Sequence, residues 1–100
     1  MNQMQQMLMQ ANKLQRELLK AHEELDKKEF AAEQGGMVKM TVKGDKEIVK
    51  IEIDGDALDA ENKEMLEEAI ALCYNGILAD IKKEADAIDE RITGKSGLPF

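Results

Sequence analysis

Residues 4–25 read MQQMLMQANKLQRELLKAHEEL, with apolar side chains at alternating steps of three and four. This spacing is typical of a coiled-coil seam, in which one stripe of a helix packs against another helix of similar length. It predicts a helix over residues 1–28, roughly 40 Å long at about 1.5 Å per residue. The expected partner is a second copy of the chain, which makes the protein a homodimer; the alternative is the chain's own second helix. The seam consists of Met4, Met7, Ala11, Leu14, Leu18, Ala21 and Leu25.

Basic side chains lie on the face of this helix opposite the seam. Lys13, Lys20 and Lys27 fall at heptad position c, and Arg16 falls at position f. Together they form one basic stripe along the helix. From the residues alone, a solvated coiled-coil face is the simpler interpretation of this stripe.

The middle of the chain predicts a β-hairpin. Residues 38–43 and 47–54 each alternate apolar and polar side chains, as half-buried strands do, and Gly44-Asp45 forms the turn between them. Lys39, Lys43 and Lys50 lie on the polar face of this hairpin. Residues 30–34 are short and ambiguous, and could form a further strand before the Gly35-Gly36 turn.

A second long helix follows the acidic residues after the hairpin and ends at Gly94. Its apolar stripe would run for about 50 Å, so this helix must extend beyond the sheet that it covers. Residues 1–94 therefore form a single domain, and residues 95–100 are expected to be a flexible tail. The stripe consists of Leu66, Ile70, Cys73, Ile77, Ile81, Ile88 and Ile92.

Composition limits the possible functions. The one cysteine excludes an intrachain disulfide, and the polar start offers neither a signal peptide nor a membrane span, so we expect a cytoplasmic protein. The net charge of −7 is uneven, because residues 1–50 hold nine basic and eight acidic side chains whereas residues 51–100 hold five and thirteen. The acidic charge therefore lies in the second half of the chain.

Catalytic chemistry is nearly absent from the sequence. His22 lies beside the seam, where a solvated or packing role is favoured, and Cys73 lies on the apolar stripe of the second helix. Residues 54–59 resemble a calcium loop only superficially, because Leu58 occupies a ligand position and Asp59 stands where glycine is required. We therefore expect no enzyme activity, no metal, no cofactor and no small-molecule substrate.

Three segments together carry a resemblance to a known family: MVKMTVKG at residues 37–44, VKIEID at 49–54 and NKEMLEEAIALCYN at 62–75. In this order, and with the Gln/Met-rich first helix, they resemble the YbaB/EbfC family of bacterial nucleoid-associated proteins. The resemblance implies an α+β fold of the order α-β-β-β-α, with a three-stranded antiparallel sheet, and a homodimer with protruding helices. It also implies a location at the nucleoid and binding of double-stranded DNA without catalysis.

By position, the resemblance assigns DNA contacts to Lys13, Arg16 and Lys20, and less securely to Lys82, Lys83 and Arg91. A sequence pI of about 4.7 requires any such contact to be a local basic surface that acts against the field of the whole molecule. The alternative is an acidic dimeric module whose helical arms bind a protein partner. A gel-retardation experiment with duplex DNA distinguishes the DNA-binding function from the protein-interaction function.

Overall fold

The computed structural model describes residues 2–94, which form a helix, three strands and a second helix in the predicted α-β-β-β-α order. The predicted tail at residues 95–100 lies outside the described residues. The elements are α1 (Gln3–Lys27), β1 (Glu29–Gln34), β2 (Val38–Lys43), β3 (Ile48–Ile53) and α2 (Lys63–Thr93). The ambiguous segment at residues 30–34 is thus a strand, and the molecule is extended, at 71 × 22 × 13 Å.

The sheet is antiparallel with strand order β1-β2-β3, and α2 packs across one of its faces. In β2, Val38, Met40 and Val42 alternate with more exposed side chains and are almost completely buried. On α2, the buried residues Ala69, Cys73, Ile77 and Ile81 recur at steps of four, which directs one helix face onto the sheet. These seven residues form the hydrophobic core.

Two short 3-10 turns, Gly55–Ala57 and Ala60–Asn62, separate β3 from α2. The side chains of Asp54 and Asp59 accept hydrogen bonds from backbone N–H groups two residues later and so begin these turns. Of the acidic residues at the start of the predicted second helix, Asp59 and Glu61 belong to the second of these turns and Glu64 lies in the first turn of α2. An Asx turn competes locally with helix formation.

The two helices run antiparallel beside each other at the end of the molecule remote from the β1–β2 turn. Lys28 Nζ lies 2.6 Å from Glu84 Oε1, and His22 Nε2 lies 2.8 Å from Asp89 Oδ1. Near the end of α2, Thr93 lines a surface hollow together with Leu14 and Leu18. Residues 2–10 of α1 therefore extend about 13 Å beyond α2.

The predicted seam of α1 divides into two parts in the structure. From Leu14 to Leu25 it faces the chain's own α2, and Leu25 is buried there. This part of the seam therefore packs against the chain's own second helix, as the alternative prediction has it. It can do so because α2 is long enough to extend alongside this part of α1. Met4 and Met7 lie beyond α2, with 71% and 64% of their surfaces exposed. A seam that joins two copies stays a prediction for this outer part.

The strand β3 departs from the sequence expectation of a half-buried strand. Ile51 and Ile53 pair with Met40 and Val38 and so point to the core face of the sheet, but 43% and 39% of their surfaces are exposed. The reason is that α2 covers β1 and β2 and leaves β3 uncovered. Val49, at 47% exposed, lies at a register shift between β2 and β3. The alternation therefore holds for Ile51 and Ile53 but not for Val49, and the described elements leave both isoleucines partly exposed.

The β2–β3 turn is tied to the end of α1 through Gly44. Its N–H donates to the carbonyl of Lys28 at 2.8 Å, and a Cβ at this position would lie 1.8 Å from the carbonyl oxygen of Leu25. Both neighbours are backbone atoms, so neither can move without shifting an element. This contact fixes α1 against the sheet and therefore fixes the direction in which α1 projects beyond the sheet.

We expect Gly44→Ala to lower the free energy of unfolding by about 3 kcal/mol or more, because the helix end must separate from the turn. Urea denaturation followed by circular dichroism measures the loss. Gly55→Ala is the control, since nothing lies within 4 Å of a Cβ there and its backbone is not left-handed. Equal stability of the parent and the Gly44→Ala variant would contradict this account of the turn.

Among residues 2–94, no helix combines the length and the apolar character that crossing a bilayer requires.

Candidate nucleic-acid interface

The three basic residues of α1 share one face of the helix. At about 100° per residue, Lys13, Arg16 and Lys20 fall within an arc of about 60°. Their side chains are exposed, and they lie on the side of α1 that faces away from α2. Lys27 falls within the same arc and continues the row to the end of the helix. We call these four residues the basic stripe.

No carboxylate lies within 4.0 Å of the amino or guanidinium groups of the basic stripe, as far as residues 2–94 are described. Much of the acidic charge lies instead on α2, where Asp89 contacts His22 of α1 and Glu84 contacts Lys28 just after α1. The two helices that lie side by side, which we call the arm, therefore have a basic outer face on α1 and acidic side chains on α2. Such an arrangement concentrates positive potential on a molecule of negative net charge.

The predicted basic residues of α2 do not form a comparable surface. Lys82 and Arg91 are nine residues apart, which places them on opposite sides of the helix, and Lys83 lies between them in angle. Lys82 Nζ also lies 3.1 Å from Asp86 Oδ2, and Arg91 borders the hollow between the two helices near Leu25. The structure brings these three side chains to no common face.

The lysines of the hairpin lie on the outer face of the sheet, where acidic side chains balance them. Lys39 stands between Glu33 and Glu52 in the strand register, and Lys43 stands opposite Glu29. Lys50 Nζ lies 3.1 Å from Glu52 Oε1. These pairs, both across strands and within β3, cancel the local charge, so this face offers phosphate little attraction.

Neither residue that was considered for chemistry stands in a reactive setting. Cys73 is buried, its Sγ donates to the carbonyl of Ala32 at 3.3 Å, and burial raises the pKa of its thiol. His22 contacts Asp89 across the two helices and so joins α1 to α2. Within residues 2–94, no three His, Cys, Asp or Glu side chains cluster in a way that could hold a metal ion.

Sequence reasoning missed one surface that the fold creates, which is the uncovered core face of β3. Ile48, Ile51 and Ile53 lie on this face and pair with Val42, Met40 and Val38 of β2. We call these three isoleucines the β3 face. The alternation of the strand identified Ile51 and Ile53 but predicted Val49 where the register shift places Ile48. The position of α2 above the other two strands left no signal in the sequence.

Comparisons with known proteins agree with this architecture. The model of the YbaB/EbfC DNA-binding family matches residues 1–96. A nucleoid-associated protein of Mycoplasmopsis pulmonis is 37% identical over 96 residues, which cover 95% of this chain and 93% of the relative. A nucleoid-associated protein of Enterococcus faecalis is 35% identical over 100 residues, which cover 99% of this chain and 94% of the relative.

Among solved structures, an uncharacterized protein of Helicobacter pylori has a similar fold. The TM-score is 0.73 at 20% sequence identity, with 91% of this chain and 96% of that chain covered. At this identity the similarity concerns the fold alone. It agrees with two long helices that flank a three-stranded sheet.

Proposed function

Because the chain belongs to the YbaB/EbfC DNA-binding family, we propose that it is a nucleoid-associated protein that binds double-stranded DNA as a homodimer through Lys13, Arg16 and Lys20 of the basic stripe. The family is defined by DNA binding and not by a catalysed reaction. The relatives named as nucleoid-associated proteins are bacterial, which supports a location at the bacterial nucleoid in the cytoplasm.

The observation that carries the DNA-binding part is the alignment of exposed cations on α1, none of which has a described carboxylate within 4.0 Å. Lys13, Arg16 and Lys20 span about 10 Å along the helix axis, so adjacent phosphates of one duplex can be contacted together. Contacts to phosphate displace condensed counterions, which supplies the favourable free energy. They carry little sequence information, so a modest sequence preference is expected.

The observation that supports the homodimer is the β3 face. Ile48, Ile51 and Ile53 are 43%, 43% and 39% exposed although they belong to the core side of the sheet. The strand β3 is also an edge of the sheet: it pairs with β2 on one side, and no strand within residues 2–94 pairs with its other side. Uncovered apolar side chains on an open edge favour addition of a second strand.

The charges flanking the β3 face suit pairing with a second copy. In an antiparallel pair of β3 strands related by a twofold axis at Ile51, Lys50 stands opposite Glu52 of the second copy. By the same symmetry, Glu52 stands opposite Lys50 of the second copy. The other edge of the sheet is less suitable. Its strand β1 presents Glu29 and Glu33, so the same arrangement there brings like charges together.

A salt titration tests the proposed function. If three cations from each of two chains contact phosphate, the logarithm of the binding constant falls against the logarithm of salt concentration with a slope near −5. We measure binding of the purified protein to a fluorescent duplex at several salt concentrations, and repeat it with a duplex of different sequence. The two duplexes should give similar slopes.

Two outcomes contradict the proposal. Tight binding with a slope near zero excludes phosphate contacts as its main source, and the absence of any retardation at low salt excludes DNA as the partner. In the second case the result favours the alternative function, in which the protein is an acidic interaction module whose helical arms bind another protein.

A further inference from the structure

The outer end of α1 carries an apolar stripe that no other element of residues 2–94 covers. Met4, Met7, Leu8 and Ala11 line one surface hollow, and the first three are 71%, 64% and 59% exposed. Their spacing of i, i+3, i+4 and i+7 is that of a helix face that packs against another element. The helix α2 cannot supply this element, because it ends at Thr93 beside Leu14 and Leu18. We call residues 2–12 the arm tip.

The arm tip begins with a complete helix cap. The side chain of Asn2 accepts a hydrogen bond from the N–H of Gln5 at 2.8 Å, and the N–H of Asn2 lies 3.4 Å from Gln5 Oε1. This reciprocal capping box satisfies two of the backbone donors that a helix start leaves free. The apolar stripe is therefore presented on formed helix up to the second residue of the chain.

The charge of the arm tip indicates which occupant fits it. Residues 2–12 contain no ionisable side chain, whereas the whole chain carries a net charge of −7. Two copies that meet at their tips therefore avoid the repulsion that the rest of their surfaces produces. No side chain of residues 2–12 offers a charge to an anionic partner or to a charged peptide, and the first cationic side chain is that of Lys13. A second arm tip matches the stripe in length, polarity and apolar content.

We infer that the arm tip is a self-association surface, on which the tips of two homodimers pack as an antiparallel helix pair. This inference rests on the proposed DNA-binding function and names a further partner of the same arm. A contact of about ten residues from each helix buries less area than the roughly 1,200 Å² of a stable interface, so it is weak between free dimers. On a shared duplex the effective concentration of neighbouring dimers is high, and the contact makes binding cooperative.

The experiment compares binding to a short duplex that holds one dimer with binding to a long duplex that holds several. For the parent protein, we expect a steeper isotherm on the long duplex and a roughly tenfold higher apparent affinity per site. The double variant Met4→Gln/Met7→Gln removes apolar surface without adding charge, and glutamine is a good helix former. It should bind the short duplex as the parent does and lose the gain on the long duplex.

Met9→Gln is the matched control, since Met9 is 56% exposed and lies about 140° around the helix from Met4. It should keep the cooperativity of the parent. Retention of the parent's steepness by the double variant, or equal loss in the Met9→Gln variant, overturns the inference. Dissociation of the double variant into single chains also overturns it, because the tip then belongs to the homodimer interface.

Sedimentation without DNA separates this inference from the proposed function. With rising protein concentration, the parent should form a species of twice the dimer mass, and the double variant should not form it. If the protein binds no duplex at all, the proposed function fails, but loss of the larger species in the double variant still supports tip association. Absence of both DNA binding and the larger species overturns both proposals.

Discussion

The triple variant Lys13→Ala/Arg16→Ala/Lys20→Ala is expected to bind duplex DNA at least roughly a hundredfold more weakly than the parent at low salt. The three side chains are exposed and face away from α2, so their removal opens no cavity and the fold should persist. Six phosphate contacts are lost from each homodimer. The salt slope should therefore approach zero, and the loss should be similar for duplexes of different sequence.

The matched control is Lys82→Ala/Lys83→Ala/Arg91→Ala, which changes the net charge by the same amount. Because these residues share no face and Lys82 already contacts Asp86, we expect a loss of no more than a few-fold. Fluorescence anisotropy titrations of the three proteins under identical buffer conditions measure the difference. A larger loss in the α2 triple variant than in the α1 triple variant would assign the DNA-facing surface to α2.

The second large effect is expected from Ile51→Asp at the centre of the β3 face. In the single chain Ile51 is 43% exposed, so the carboxylate can reach water and the monomer should fold. In a β3 to β3 homodimer the same change buries two unpaired charges close together, which costs several kcal/mol. Sedimentation at micromolar concentration should give the mass of one chain. The salt slope should fall to about −3, because only one basic stripe remains on each particle.

Leu72→Asp serves as the control for added charge on an exposed apolar residue. Leu72 is 51% exposed on α2 and borders the β1–β2 turn near Gln34 and Met37, away from β3. It should leave the mass of the parent unchanged. If Ile51→Asp sediments as the parent homodimer does, the β3 face is not the interface. If the parent itself has the mass of one chain, the proposed homodimer is wrong.

The order of elements could be predicted from the sequence because each element carries a local periodic pattern. The heptad of α1, the alternation in β2 and the stripe on α2 each depend on residues close in sequence, and the structure confirms all three elements. The two short turns before α2 were not predicted, since they depend on local hydrogen bonds of Asp54 and Asp59 that compete with helix formation. The assignment of DNA binding depended on the ordered resemblance of three segments and not on any single residue.

One part of the candidate site could likewise be predicted from the sequence, and another part could not. The single face shared by Lys13, Arg16 and Lys20 follows from helical geometry alone, so the sequence by itself determined the basic stripe. Only the tertiary structure decided which apolar surfaces stay open. Where α2 lies on the sheet and where it ends relative to α1 depend on contacts between residues distant in sequence, such as Lys28 with Glu84 and Gly44 with Leu25. Those contacts bury the inner half of the seam within the chain and leave the β3 face and the arm tip exposed, because a periodic pattern specifies an apolar face but not the element that covers it.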